Sequence, residues 1–210
     1  MEANQPMTPT FVREVQDIDR LRIPFDDLYT SIFLIRLQDG AYALVDAATT
    51  ERDITHGLVP ALRARGVTVE QVRYLILTHR HEDHTGGKDA VLRACPQAET
   101  VREVRSLSDS VETIALPGHT RDFIGVLDKQ SGTLITGDAV QGYGIGKYRC
   151  SLEDKAAYLR TLKQIENDPR ITCLLFSHAY EPWDQDRAVG RDRIAECLAD
   201  CERYIKSRHA

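Results

Sequence analysis

Short apolar runs, separated by polar and turn-forming residues, recur along the whole chain. Runs of this length, rich in Val, Ile, Leu and aromatic residues, are typical of buried β-strands. Asp39-Gly40 and residues 129–132 lie between neighbouring runs and predict hairpin turns. The predicted strands cover residues 31–37, 41–47, 73–79, 111–117, 122–128, 132–138 and 171–178.

Other segments have apolar residues at helical spacing. Gly66 ends the first of them as a left-handed cap, and Ser151 is the predicted N-cap of another, with Asp154 as its capping-box acid. Early strands are joined by hairpins and later ones alternate with helices. This order predicts an α/β (α+β) fold of two mixed sheets packed together with helices outside. The predicted helices cover residues 51–65, 152–167 and about 187–207, with a shorter one after Gly86-Gly87.

Composition narrows the class of protein. A chain of 210 residues fits one domain, 1–210, with an ordinary soluble balance of 42% hydrophobic and 28% charged residues. The net charge of -5 and the lack of a Lys/Arg block argue against nucleic acid and membrane partners. No apolar run approaches the ~18 residues of a membrane span. We therefore expect a cytoplasmic protein with a small-molecule substrate.

The cysteines agree with a reducing compartment. They are five in number and contain no CxxC pair, so neither a disulfide framework nor a thiolate zinc site is expected. Cys197 and Cys201 extend an apolar stripe at helical spacing together with Ile194, Leu198 and Ile205. We interpret this pair as core residues of the last helix.

Histidines gather where apolar runs end. The stretch "HRHEDH" follows the predicted strand "YLILT", and its His79 and His81 are spaced so that an extended backbone points both the same way. Asp83 and His84 follow as the chain turns into a helix. Ligand sites lie beyond the carboxyl ends of strands in open α/β sheets. This segment therefore predicts part of a site that needs further ligands from elsewhere.

Three later runs supply those ligands. They end in "LPGHT", "LITGD" and "LLFSH", which place His119, Asp138 and His178 at predicted strand ends. His56 and His209 lie away from such ends, and we expect both at the surface. Imidazole and carboxylate groups suit zinc, and also iron or manganese. The pattern therefore predicts a metal site assembled from distant segments.

The same motifs resemble those of a known family. "HRHEDH" is similar to the HxHxDH signature of the metallo-β-lactamase superfamily, and "PGHT", "TGD" and "SH" are similar to its later metal motifs, in its order, across residues 32–178. The resemblance implies the metallo-β-lactamase fold, a four-layer αββα sandwich. "LVDA" resembles an early strand of the family, which implies that Asp46 orients a ligand imidazole. The implied ligands are His79, His81 and His119 for a first ion, Asp83, His84 and His178 for a second, and Asp138 for both.

Two divalent ions, with zinc expected, would outweigh the charge of two aspartates and favour a bound hydroxide, since a metal can lower the pKa of its water to about 7. The leading interpretation is a dinuclear hydrolase of a small ester, thioester or lactone, with Asp83 and Asp138 serving catalysis as well as metal binding. A single-iron oxygenase acting on a persulfide and a metal-binding protein without activity remain alternatives.

Departures from the family narrow the substrate. Asp138 stands where zinc β-lactamases of the best-known subclass have cysteine, so penicillin hydrolysis is not expected. Only 32 residues follow His178, which disfavours a glutathione-binding helical region. "GHTRDF" also lacks the Pro-Gly that follows "GHT" in many members.

Two segments have open roles. The stretch 139–150 follows Asp138, and its Tyr143 or Tyr148 is expected to donate a hydrogen bond to a substrate oxygen, unless these aromatics only cover the core. Lys147 offers a further donor there. Residues 20–33 are predicted either to form a loop over the site, to make the contact of a homodimer, or simply to pack.

Overall fold

The computed structural model describes residues 9–25, 28–142, 151–180 and 186–207. Within these ranges the strands form two mixed sheets. The larger sheet has the order β1-β2-β3-β4-β5-β6, and β11 pairs with β3 beside this path. Its strands are β1 (Val12–Val15), β2 (Ile18–Phe25), β3 (Leu28–Arg36), β4 (Tyr42–Val45), β5 (Val72–Ile76), β6 (Glu99–Val101) and β11 (Ala179–Tyr180).

The smaller sheet has the order β12-β10-β9-β8-β7. Both predicted hairpins are confirmed, because β3 and β4 are antiparallel across Asp39-Gly40, and β8 and β9 are antiparallel across residues 129–132. Parallel pairs complete each sheet, β4 with β5 and β9 with β10. The strands of this sheet are β7 (Val111–Ala115), β8 (Ile124–Asp128), β9 (Thr133–Gly137), β10 (Cys173–Phe176) and β12 (Arg187–Val189).

Helices cover the outer face of each sheet. A π-helical segment, Asp53–Leu58, leads directly into α1, which ends at Gly66 in the predicted left-handed conformation, with φ 78°. A 3₁₀ turn, Val69–Gln71, precedes β5. The helices are α1 (Val59–Arg65), α2 (Glu82–Thr85), α3 (Lys88–Ala94), α4 (Lys155–Asn167) and α5 (Arg191–Ser207).

Apolar side chains fill the space between successive layers. Phe33, Val45 and Leu175 belong to the core between the two sheets. α1 and α3 pack on the outer face of the larger sheet. α4 and α5 pack on the smaller one, and Cys197 and Cys201 are buried there as predicted. The αββα sandwich expected from the resemblance is confirmed.

Helix starts differ from the sequence prediction. α4 begins after Asp154, whose carboxylate accepts a hydrogen bond from the backbone N–H of Ala157 at 2.8 Å. Asp154 is therefore the N-cap, and the assignment of Ser151 was wrong. The last predicted helix, about 187–207, contains β12 and begins only at Arg191. Gly190, with φ 85°, separates the two elements.

Residues 18–25 and 28–36 are strands, paired antiparallel, so most of the segment 20–33 is β-structure. β2 and β3 pair from Ile18 with Ile35 to Phe25 with Leu28. Leu21 and Ile23 alternate inward along β2 and join the core under α1. The charged residues Asp19, Arg20 and Arg22 beside them interrupt the apolar pattern of this strand, and Arg20 is itself fully buried.

Candidate metal centre

The histidine motifs meet at one edge of the sandwich. The chain leaves β5 through "HRHEDH", so His79 to His84 come from the larger sheet. His119 lies between β7 and β8 of the smaller sheet, and Asp138 and His178 follow its strands β9 and β10. The predicted residues are thus supplied by both sheets and face each other across their junction.

The first group of ligand atoms consists of three imidazole nitrogens and one carboxylate oxygen. Nδ1 of His81 lies 3.0 Å from Nε2 of His79 and 3.0 Å from Nε2 of His119. Oδ2 of Asp138 is 4.0 Å from His79 Nε2 and 3.8 Å from His119 Nε2. Atoms that converge so closely can surround a single cation.

The second group combines two imidazoles with two carboxylates. Nε2 of His84 and Nε2 of His178 are 3.2 Å apart. Oδ1 of Asp138 lies 3.4 Å from the first and 3.2 Å from the second, and Oδ2 of Asp83 lies 3.5 Å and 3.2 Å from them. Asp138 therefore turns one oxygen to each group, as expected for a carboxylate that serves two ions.

The outward nitrogens of several imidazoles are held by oxygen acceptors. A carbonyl or carboxylate oxygen can only accept, so the bonded Nδ1 carries a proton, and Nε2 of the neutral imidazole has a lone pair for the site. Within the described residues these bonds run from His84 to Asp46 Oδ2, from His119 to the Ser151 carbonyl and from His178 to the Tyr29 carbonyl, each at 2.8 Å.

Asp46 makes the contact predicted for it. It is fully buried, with φ 65°, and also accepts bonds from the backbone N–H of Thr78 at 2.8 Å and from its hydroxyl at 2.9 Å. Thr78 immediately precedes His79. The Asp46 carboxylate therefore binds residues at both ends of "HRHEDH", the segment that follows β5. Sequence inspection missed Thr78 because nothing distinguishes it from any threonine in a strand.

Gly86 and Gly87 allow the chain after His84 to pack closely against the backbone of residues 47–49. A Cβ at Gly86 would lie 1.9 Å from the carbonyl oxygen of Thr49, and one at Gly87 would lie 2.2 Å from that of Ala47. Both distances are far below van der Waals contact. The glycine pair after His84 is therefore required for the close approach that presents Asp46 to the imidazole.

Two imidazoles of the first group, those of His79 and His119, favour the neutral state. Burial is the largest influence and lowers the pKa of both His79 and His119. Neighbouring imidazoles lower it further, while Asp138 acts in the opposite direction. Neutral imidazoles offer lone pairs without first releasing a proton, which suits metal binding.

The second group carries more charge. Burial alone would lower the pKa of His84 and His178, but Asp138 outweighs it, so that of His84 lies well above its ordinary value and that of His178 is raised to about 9. The pKa of Asp138 is held well below its usual range by the same two imidazoles, although burial acts to raise it. A positive charge on the imidazoles of His84 and His178 is therefore favoured in the second group.

The donor set fits divalent cations. Oδ1 of Asp138 is buried and accepts no hydrogen bond within the described part of the chain, although two imidazole nitrogens lie close to it. A buried carboxylate oxygen without such a partner is costly, and a cation would satisfy it. Imidazole and carboxylate oxygen are ligands that zinc, iron and manganese share.

Some predicted residues are not part of these groups or are not described. Tyr143, Lys147, Tyr148 and His209 lie outside the described residues. His56 is exposed on the π-helical segment, as predicted. The helices in the described ranges include none long and apolar enough to cross a membrane.

A family model and solved structures agree on the class of protein. Residues 25–105 match the model of the metallo-β-lactamase superfamily. The metallo-β-lactamase of Erythrobacter litoralis superposes with a TM-score of 0.69 at 18% identity, covering 95% of this chain and 98% of that one. FIM-1 of Pseudomonas aeruginosa, in its mono-zinc form, gives 0.68 at 17% identity, with 94% and 96% covered. Residues 25–105 thus resemble the superfamily in sequence, and the solved structures share the fold of this chain.

Sequence relatives carry several activities in their names. A hydroxyacylglutathione hydrolase of Vibrio cholerae is 24% identical over 201 residues, which are 83% of this chain and 75% of the relative. An atrochrysone carboxyl ACP thioesterase of Passalora fulva is 26% identical over 141 residues, or 58% of this chain. The chain spans only 40% of the length of that thioesterase.

Proposed function

We propose that this chain is a metallo-hydrolase that holds two divalent ions, with zinc as the expected metal. The observation that carries the proposal is the Asp138 carboxylate, which turns Oδ2 to one set of imidazoles and Oδ1 to another. The first ion is assigned to His79, His81 and His119, and the second to Asp83, His84 and His178. Relatives named as hydrolases support this reaction class.

Such ions supply a water whose pKa is lowered to about 7 and polarise a substrate oxygen. The chain's own groups control access and charge. The Asp83 side chain is 20% exposed and that of Asp138 9% exposed, so Asp83 is the carboxylate that an incoming water or substrate meets first. Phe123 stacks on His79 with ring centroids 4.8 Å apart and shields it from solvent on that side.

The substrate class proposed is a small ester, thioester or lactone. A relative named as a thioesterase and others named hydroxyacylglutathione hydrolase support the thioester option. We assign Tyr143 or Tyr148 the donor to the substrate oxygen. Replacing each by phenylalanine tests this role: kcat is expected to fall for one variant, and unchanged kcat and KM in both would contradict it. We also propose that the protein is cytoplasmic.

Metal content measured together with activity tests the proposed function. Protein purified without added metal is analysed for zinc, iron and manganese, then assayed on thioesters, lactones, phosphodiesters and β-lactams before and after a chelator. Two zinc ions per chain and chelator-sensitive thioester or lactone hydrolysis are expected. One iron per chain with oxygen uptake on glutathione persulfide would overturn the proposal in favour of an oxygenase. Full metal occupancy without activity on the panel would instead indicate a binding protein.

A further inference from the structure

We propose that Arg20 is a positioning residue for the second ion, through its hold on the chain segment that carries His178. This inference rests on the proposed function, because it concerns the ion assigned to Asp83, His84 and His178. Arg20 lies on β2 of the larger sheet, whereas His178 follows β10 of the smaller one. Its role is thus to connect the two sheets.

Arg20 binds one backbone carbonyl at the end of β10 and another just before β12. Its side chain is fully buried, and Nη1 donates to the carbonyl of Phe176 at 3.0 Å while Nη2 donates to the carbonyl of Asp186 at 2.8 Å. The backbone N–H of Phe176 also donates to the Asp186 carbonyl at 2.9 Å. Phe176, two residues before His178, is thus bound together with Asp186 by one guanidinium.

Further hydrogen bonds hold the two residues between Phe176 and Ala179, including the ligand His178. The Ser31 hydroxyl donates to the carbonyl of Ser177 at 2.7 Å, and His178 Nδ1 donates to the carbonyl of Tyr29 at 2.8 Å. β11 then pairs with β3, Ala179 opposite Tyr29. The whole approach to His178 is therefore fixed by β2 and β3 of the opposite sheet.

The charge of Arg20 is balanced inside the protein. Nε lies 2.9 Å from Oε1 of Glu14, and Nη1 lies 2.9 Å from Oδ2 of Asp186. Arg22 contacts the same two carboxylates, and the Tyr29 hydroxyl donates to Asp186 at 2.6 Å. A buried ion pair gains little stability over apolar packing of equal volume. Its contribution here is the geometry it imposes.

The distances within the second group depend on how the two sheets meet. Asp83 and His84 come from the larger sheet and His178 from the smaller, yet their ligand atoms lie within 3.2–3.5 Å of one another. Small displacements at such a site change metal affinity strongly. A planar guanidinium donates to the two carbonyls from two separate nitrogens held in a fixed fork, whereas a lysine offers a single nitrogen on a flexible stem and cannot reproduce that geometry.

The test is metal binding by Arg20→Lys, which keeps the buried charge but loses the double donation. Metal-free protein is titrated with Zn²⁺ against a chromophoric chelator, and bound ions are counted by native mass spectrometry. The second ion is expected to bind at least tenfold more weakly, with the first ion within twofold of wild type. Arg22→Lys, the same change in the same network without a carbonyl contact at β10, is expected to leave both ions within twofold.

Single-site backgrounds assign the loss to the correct ion. Arg20→Lys is expected to weaken binding in His119→Ala, which keeps the second group, and to have no effect in His178→Ala. Unchanged binding of both ions, an equal loss of both, or the same loss in Arg22→Lys would overturn the inference. A wild-type chain that binds no second ion would overturn the proposed function together with this inference.

A second variant covers the case in which Arg20→Lys does not fold. Ser31→Ala removes the donor to the Ser177 carbonyl and changes little volume. It is expected to weaken the second ion threefold or more and to leave the first unchanged. Unchanged binding of the second ion in this variant would equally overturn the inference.

Discussion

In the first ligand group three imidazoles face one carboxylate oxygen, which lies 4.0 Å from Nε2 of His79 and 3.8 Å from Nε2 of His119. In the second, two imidazoles lie within 3.2–3.5 Å of two carboxylates, and Asp46 stands behind one of them. Burial lowers the pKa of His79 and His119 in the first half, whereas the carboxylates raise the pKa of His84 and His178 in the second. Local charge, rather than residue type, distinguishes the two halves.

The two halves are also supported differently. At the first, Arg80 contacts Asp122 at 3.1 Å and also Glu153, and its side chain is 49% exposed. Exposed ion pairs of this kind contribute about 0–1 kcal/mol. At the second, Asp46 and Arg20 are fully buried. The first half is thus supported by solvated contacts and the second by buried ones, so variants should affect the second more strongly.

Glu153 connects the solvent-exposed contacts around the first ligand group. Its backbone N–H donates to the carbonyl of Gly118 at 2.9 Å, and its Oε2 accepts from the backbone N–H of Arg121 at 2.9 Å. Its Oε1 contacts Arg80, which lies between two ligand histidines in the chain. Glu153 thereby links the loop that carries His119 to the loop after β5.

The largest expected effect removes the carboxylate that both halves share. Asp138→Ala should lower hydrolysis roughly a thousandfold, since several kcal/mol of charge stabilisation depend on the ions. Metal content should also fall at both sites. Steady-state kinetics and metal analysis measure these effects, with Asp89→Ala, an exposed aspartate on α3, as the control. Wild-type activity in Asp138→Ala would refute the bridging role.

Asp46→Asn should weaken the second ion more than the first. An asparagine amide facing Nδ1 of His84 would donate where the carboxylate accepts, moving the imidazole proton to Nε2 and blocking the ligand atom. The expected loss in affinity for the second ion is about 10–100-fold, measured by Zn²⁺ titration. An equal loss at the first ion would show that the two halves are not independently supported.

Gly118→Ala should disturb the first half through the backbone. A Cβ there would lie 2.4 Å from Cα of Tyr158 on α4, and the glycine has φ 143°. We expect a loss of about 1–3 kcal/mol in the free energy of unfolding, measured by urea denaturation. Gly40→Ala is the matched control, because φ is 86° there but no atom would lie within 4 Å. Equal losses in both variants would exclude the contact with α4 as the cause.

Glu153→Gln should have the smallest effect. The variant keeps an acceptor for Arg121 but loses the charge opposite Arg80, a contact open to solvent. Affinity for the first ion should fall by no more than about fivefold, which corresponds to ~1 kcal/mol. Asp122→Asn, which alters the other carboxylate on Arg80, should leave both ions unchanged. A tenfold loss in Glu153→Gln would show that the solvated support matters as much as the buried one.

Much of the site followed from local pattern. His79, His81, Asp83 and His84 lie within six consecutive residues at the end of one strand, so strand geometry and the following turn already predict their proximity. His119, Asp138 and His178 were identified as chain positions where apolar runs end. Their meeting with the first four was expected from the resemblance, and the fold brings them together.

The acceptors behind the imidazoles could not be found in this way. The Ser151 and Tyr29 carbonyls are backbone groups, present at every residue, and only the tertiary structure selects which of them meets an imidazole. The N-cap of α4 differed from the prediction for a related reason. Ser151 precedes the helix closely enough to fit the pattern, yet its carbonyl is bound to His119 and the helix begins four residues later, at Lys155.

The sequence by itself determined the layers of this protein and the residue types of its metal centre, because both depend on short-range periodicity. The tertiary structure decided how the two sheets meet, and with that the distances in the second ligand group. Arg20 shows the reason. A charged residue in a strand predicts a surface position, and its burial becomes favourable only when groups from Phe176 and Asp186, more than a hundred residues away, join the nearby Glu14 as its partners.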